Sequence, residues 1–155
     1  MCGVFCQISK EHKIDIDHFL DALNFLEHRG PDNTGYLIKD FIGLGSKRLK
    51  IHDLSDVGNQ PLVSSCGNFQ IIFNGAIFNF REIKKQLSSE GVIFKTETDT
   101  EVILEGYAHH GSKILNYLEG MFAFIILDIV KNKVFIARDS FGIKPLYVYE
   151  DKKNI

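Results

Sequence analysis

The stretch "MFAFIILDIVKNKVFIARD" (121–139) constrains the fold more than any other part of the chain. Two runs rich in β-branched and aromatic residues flank a polar Lys131-Asn132-Lys133 turn, which is the signature of a β-hairpin. Further strands are read in "GVFCQI" (3–8), "YLIKD" (36–40), "FIGLGSKRLKI" (41–51), "NFQIIFNG" (68–75) and "LYVYED" (146–151). Between them lie helical patterns. Ile16, Phe19, Leu20, Leu23 and Leu26 recur at helical spacing, with Asp15 or Asp17 as the cap. "REIKKQLSSEG" (81–91) ends at a glycine, and "TDTEVILEGYAHHG" (98–111) opens with Thr98 and Glu101 at capping-box spacing. "LNYLEG" (115–120) reads as a short further helical piece. "HRGPDNTG" (28–35) is a loop. Hairpin-linked strands with helices grouped between them predict an α+β fold, with antiparallel sheets and helices on the outer faces.

Composition removes several function classes. The 155 residues make one domain of ordinary size. With 18 basic and 20 acidic residues, the net charge of −2 supplies no field for nucleic acid or an anionic membrane. No apolar run reaches the length of a membrane span, and no signal-peptide pattern precedes Cys2. Three unevenly spaced cysteines suggest neither a disulfide framework nor a zinc site, so a reduced cytoplasmic setting is expected.

The chain begins MCGVF. A small residue at position 2 permits removal of Met1, which would leave a thiol and a free α-amine on one residue. The thiol must lose its proton to attack well, and an α-amine of pKa about 7.7–8.0 is a suitable base. That amine can take the thiol proton and return it to a leaving amine, so Cys2 alone offers both halves of an acyl transfer. The ordinary alternative is a buried strand cysteine. "FNGAIFNF" (73–80) offers Asn74 and Gly75 as an oxyanion pair, where the alternative is a simple Asn-Gly turn. Arg48 suits a ligand carboxylate or a surface ion pair. Asp99, in the first turn of a capped helix, suits a ligand ammonium or the helix dipole. One guanidinium and one carboxylate together match the two charged ends of a free α-amino acid.

Taken in order, these stretches resemble the N-terminal glutaminase domain of class II glutamine amidotransferases. Within that family they are most similar to the glutamine-hydrolysing asparagine synthetase branch. The resemblance rests on Met1-Cys2-Gly3, "HRGPD" (28–32), "RLKIHDLS" (48–55), "NQPL" (59–62), "FNGAIFNFREI" (73–83), "TDTEVIL" (98–104), "GMFAFIILD" (120–128) and "RDSFGIKPLY" (138–147). "HRGPD" and "FGIKPLY" select the branch. The resemblance implies an N-terminal nucleophile (Ntn) hydrolase fold, a four-layer αββα sandwich spanning residues 2–155. It implies Cys2 as nucleophile, its α-amine as base, and Asn74 and Gly75 as the oxyanion hole. Arg48 would bind the carboxylate of L-glutamine and Asp99 its ammonium, with Leu49 and Ile51 lining the site. The reaction would be hydrolysis of glutamine to glutamate through a thioester, releasing ammonia.

Two positions depart from the family. Ala76 stands where an acid usually follows Asn-Gly, a loss worth about 1.5–3 kcal/mol of substrate binding, or one to two powers of ten. Ser46 stands where a histidine is usual. The chain also holds no Ser-Gly-Gly pyrophosphatase loop and no phosphate loop. No cofactor is therefore expected within these residues. ATP and magnesium belong to a synthetase domain, supplied in cis or in trans, that would amidate aspartate. Alternatives at this stage are a catalytically weak regulatory module of the same fold, or an ammonia donor to another acceptor such as a sugar. The reading allows a homodimer.

Overall fold

The computed structural model describes residues 2–49 and 56–155. The described residues form seven strands and three α-helices, in the order β1 (Gly3–Ile8), α1 (Ile16–Asn24), β2 (Asn33–Lys39), β3 (Ile42–Arg48), β4 (Leu62–Val63), β5 (Phe69–Ile77), α2 (Phe80–Ser89), α3 (Asp99–His110), β6 (Gly120–Asp128) and β7 (Lys133–Arg138). Short 3₁₀ turns occupy Glu27–Arg29, Asp56–Gly58 and Gly111–Tyr117. The strands form two antiparallel sheets, one ordered β1-β3-β2 and one β4-β5-β6-β7.

The layers follow from which side chains each strand sends to which face. Ile42 and Leu44 of one sheet meet Ile72, Ile125 and Leu127 of the other, with Val4, Cys6 and Ile8 packed against them. On the outer face of the first sheet, Phe19 and Leu23 of α1 are fully buried. They come this close because β3 carries Gly43 and Gly45 beneath them. A Cβ at Gly43 would sit 2.5 Å from the Phe19 ring, and one at Gly45 would sit 2.9 Å from Leu23. On the outer face of the second sheet, Ile71, Phe73, Phe122, Phe124 and Ile126 pack under Ile83 and Leu87 of α2 and Val102, Ile103 and Leu104 of α3. The result is the expected helix–sheet–sheet–helix sandwich.

Local signals act largely as read. Asp15 caps α1, its Oδ1 accepting from His18 N at 2.9 Å. The β6–β7 hairpin closes with Asn132 at φ 51°, while Asp128 Oδ1 accepts from the turn amides of Val130 and Lys131. Two readings need correction. "LYVYED" (146–151) is not a strand: Tyr147, Val148 and Tyr149 are exposed, and among the described residues no strand pairs with them to complete a ladder. The capping box at α3 is half realised. Thr98 Oγ1 accepts from Glu101 N at 3.2 Å. The buried Glu101 carboxylate, however, reaches past the cap to Lys95 N (2.8 Å) and to Thr96 N and Oγ1 (2.7 Å each), organising the approach to the helix instead.

Candidate active site

Cys2 lies immediately ahead of β1, half-buried, with its Sγ 3.9 Å from the carbonyl oxygen of Leu49 just past the end of β3. It shares with Asn74 a cleft of ≈ 660 Å³ that is also bordered by Cys6, Arg29, Leu146 and Tyr147. The other two thiols are poorly placed for chemistry here. Cys6 points into the core between the sheets, where burial pushes its thiol up to about 12. Cys66 sits on the turn between β4 and β5, 3.3 Å from Ser64 Oγ, and does not border the cleft.

The end of β5 supplies the donors. Ile71, Phe73 and Ile77 face α2 and α3 whereas Ile72 faces the other sheet, so the strand alternation sends Asn74 and Ala76 to the inner face. The Asn74 side chain is buried, yet among the described residues its amide has no hydrogen-bond partner. The Gly75 backbone is oriented by pairing. Gly75 stands opposite Phe122 on β6. Phe122 turns its own polar groups away from β5: its oxygen accepts from Asp139 N at 2.8 Å, and its N–H donates to Asp139 Oδ2 at 3.1 Å. Gly75 and Phe122 therefore form a non-hydrogen-bonded pair, and the Gly75 N–H points to the opposite edge of β5. Among the described residues the only strand along that edge is β4, which pairs with Gln70 and Ile71 alone. Further along it, the Phe73 N–H donates to Gln60 Oε1 at 2.7 Å and the Ile77 N–H to Asp99 Oδ2 at 3.1 Å. The Gly75 N–H between them has no partner among the described residues. Glycine is required here for space as well. A Cβ would lie 2.4 Å from Met121 O and 2.8 Å from the Phe122 Cα.

The charged groups are gathered around a second glycine. Arg48 closes β3 and is 7% exposed, unusually buried for a guanidinium. Its Nη1 donates to Asn59 Oδ1 at 2.8 Å. A Cβ on Gly58 would fall 2.5 Å from Arg48 Nη2 and 3.4 Å from the Thr98 methyl. The guanidinium and the cap of α3 thus flank the same glycine. Asp99, the first residue of α3, is in turn tied to the end of β5 through Ile77 N.

Of the residues singled out in the sequence, Cys2 and Asn74 border one cleft, and Leu49 presents its carbonyl to the thiol. Gly75, Ala76 and Asp99 meet at the end of β5, and Arg48 lies beside the start of α3. Ile51 lies outside the described residues. Sequence reasoning missed Gly58, Asn59 and Gln60. Gln60 is buried and uses its side chain where a longer β4 would have used its backbone. The signal was available, since Asn59 and Gln60 begin the "NQPL" motif. Ser46 is fully buried, and its Oγ has no hydrogen-bond partner among the described residues. Nothing in the structure explains that substitution.

"RDSFGIKPLY" proves to be scaffold around Asp139. Burial pushes the Asp139 carboxyl up, but hydrogen bonds from the N–H groups of Lys144, Ile143, Phe122 and Phe141 outweigh this and hold it below the usual carboxylate range. One side chain thereby fixes both the 140–144 turn and the β6 residue that orients Gly75.

The family model for the glutamine amidotransferase domain matches residues 1–155. The chain is 40% identical to asparagine synthetase [glutamine-hydrolyzing] 1 of Bacillus subtilis over 95% of its length, covering 24% of that protein. It is 36% identical to putative asparagine synthetase [glutamine-hydrolyzing] 2 of Methanocaldococcus jannaschii, over 97% of this chain and 32% of the relative. It is also 36% identical to the amidase chry2 of Gibberella zeae, over 88% of this chain and 21% of the relative. The chain thus spans a third or less of the length of these relatives. Among solved structures, glutamine phosphoribosylpyrophosphate amidotransferase from B. subtilis superposes with a TM-score of 0.80 at 21% identity, over 99% of this chain and 40% of that one.

Proposed function

Because the chain belongs to the glutamine amidotransferase family, we propose that it hydrolyses the side-chain amide of free L-glutamine, with Cys2 as the nucleophile. Once Met1 is removed, the Cys2 α-amine takes the thiol proton. The thiolate attacks the amide carbon, and the oxygen of the tetrahedral intermediate takes up the negative charge. Collapse expels ammonia, which carries the proton returned by the α-ammonium. Water then enters, loses a proton to the same amine and cleaves the thioester to glutamate, restoring the thiol.

The observation that carries this reading is a pair of donors with no partner among the described residues, the Asn74 amide and the Gly75 N–H, adjacent on β5 where Asn74 borders the cleft with Cys2. Donors already fixed in place and unused in the ground state stabilise an oxyanion without reorganisation. Arg48 holds the substrate carboxylate and Asp99 its ammonium, with Leu49 and Ile51 lining the site. Ala76, on the Asn74 face, leaves the ammonium one carboxylate poorer than in the family pattern.

The ammonia is used by an ATP- and magnesium-dependent synthetase domain, in cis or in trans, that makes asparagine in the cytoplasm. The names of the relatives support this. An apolar run beside the cleft is consistent with it: Phe141, Ile143, Tyr147, Val148 and Tyr149 are all more than half exposed, the kind of concentration found where proteins dock. Residues 2–155 then act as the glutaminase domain.

Ammonia release from L-glutamine, from N-acetylglutamine and from the monoamide of glutarate tests the substrate claim. Turnover of glutamine is expected to exceed that of both blocked substrates by at least tenfold each, one ionic contact being lost in each. Equal turnover of the three would indicate a general amidase. No turnover of any would favour a regulatory module.

A further inference from the structure

On the outer helical layer, the ends of α2 and α3 bring together three side chains that the glutamine chemistry does not use. Glu90 follows the last turn of α2, and His109 and His110 end α3. Glu90 Oε2 lies 3.1 Å from His109 Nε2 and 3.1 Å from His110 Nε2, and the three ligand atoms lie within 4.8 Å of one another. From this cluster we propose a binding site for one divalent transition-metal ion of the zinc class, held by Glu90, His109 and His110 with solvent completing the shell.

Four observations support it. The first is spacing. Imidazole nitrogens and carboxylate oxygens bind zinc at about 2.0–2.2 Å, so adjacent corners of a tetrahedron stand about 3.3 Å apart. Both Glu90–histidine separations are close to that edge. The second is His110 itself. Its Nε2 is shut off from solvent and makes no well-directed hydrogen bond among the described residues, although Glu90 Oε2 is within reach. A metal between them would satisfy a nitrogen that the helix leaves without one. The third is support from behind. Glu90 Oε1 accepts from Gln86 Nε2 at 3.1 Å, the kind of contact that fixes a ligating carboxylate. His110 is stacked on Tyr117 with ring centroids 5.7 Å apart, and His109 meets His110 edge-on at 4.7 Å. The fourth is the helix ends. Both helices present their C-termini here, where the aligned peptide dipoles favour a cation.

Two nitrogen donors and one carboxylate favour zinc, nickel or copper over magnesium or calcium, which prefer all-oxygen shells. The cysteine count gives no hint of such a site, because no thiol takes part. A bound ion would clamp the end of α2 to the end of α3.

The test is equilibrium dialysis of the metal-free protein against Zn²⁺ alone, at neutral pH. Cys2 and Cys66 are the competing zinc ligands, so the wild type, His109→Ala/His110→Ala, Gln86→Leu and Cys2→Ala/Cys66→Ser are compared. One zinc per chain is expected in the wild type and in the cysteine variant. The histidine variant should lose it, and Gln86→Leu should bind about 10–100-fold more weakly. Far-UV circular dichroism confirms that each variant is folded. Co²⁺ loading of the cysteine variant should give the visible bands of a tetrahedral ion without thiolate charge transfer. Zinc that survives in the folded histidine variant, or disappears with the cysteines, overturns the proposal. Stoichiometric Mg²⁺ binding at the same concentration in place of Zn²⁺ overturns the ligand assignment.

Discussion

Replacing Asn74 by alanine separates chemistry from structure. The Asn74 backbone pairs with Ala123 through β5 and β6, and that pairing does not depend on the side chain. The amide has no partner among the described residues, so its removal strands no buried group. Stability is therefore expected to change by no more than about 1 kcal/mol. The kinetic effect is of another size. Loss of one preorganised oxyanion donor costs about 10²–10³ in kcat, or about 2.7–4 kcal/mol. KM should barely move, because the donor acts on charge that exists only in the transition state. Asn74→Asp sharpens the comparison: it nearly preserves shape but presents a negative oxygen to a developing oxyanion, so it should be at least as damaging. The assay is coupled glutamate production across a range of glutamine concentrations, with thermal melts of each variant. A folded Asn74→Ala protein that keeps more than a tenth of wild-type kcat would refute the oxyanion assignment, as would an effect confined to KM.

Three other perturbations address separate parts of the account. Ala76→Glu should lower KM for glutamine by one to two powers of ten, the worth of a charge-assisted contact, while leaving the KM of a substrate without the α-amine unchanged or higher. Gly58→Ala should raise KM by about 10–100-fold with a smaller change in kcat, because the new methyl would lie 2.5 Å from Arg48 Nη2 and push the guanidinium off the carboxylate. Asp139→Asn should destabilise the fold in a pH-dependent way. Because the folded carboxyl titrates below its ordinary value of about 3.9, its contribution is present in full above that pH and is lost as pH falls through the folded value. Urea midpoints of wild type and Asp139→Asn should thus differ at pH 7 and converge toward pH 3; a constant difference across that range would contradict the assignment.

The layers of the fold were legible because each strand and helix carries its own period and its own stop signal. The β6–β7 hairpin and the capped α1 are local facts. "LYVYED" was misread for a physical reason: alternating aromatic and β-branched residues mark a surface that packs against something, and a strand is only one such surface. In the candidate site, the chemical groups could be found by type and order, but their support could not. Nothing local to Gln60 says that its side chain finishes the edge of β5, and nothing local to Asp139 says that it turns Phe122 away from Gly75. These are contacts between residues 13 and 17 positions apart, set by the assembled sheet. The same holds for Gly58, whose importance comes from the guanidinium laid against it.

The central claim is that Cys2, at the N-terminus of the processed chain, forms a covalent bond to the carbonyl carbon of glutamine. Acid quench during steady-state turnover, followed by peptide mapping in the mass spectrometer, tests it directly. The account predicts an N-terminal peptide that begins at Cys2, lacks Met1, and carries the mass of glutamine less ammonia as an alkali-labile thioester. Glutamine turnover by a chain that retains Met1, or an adduct found on Cys66 in place of Cys2, would contradict it.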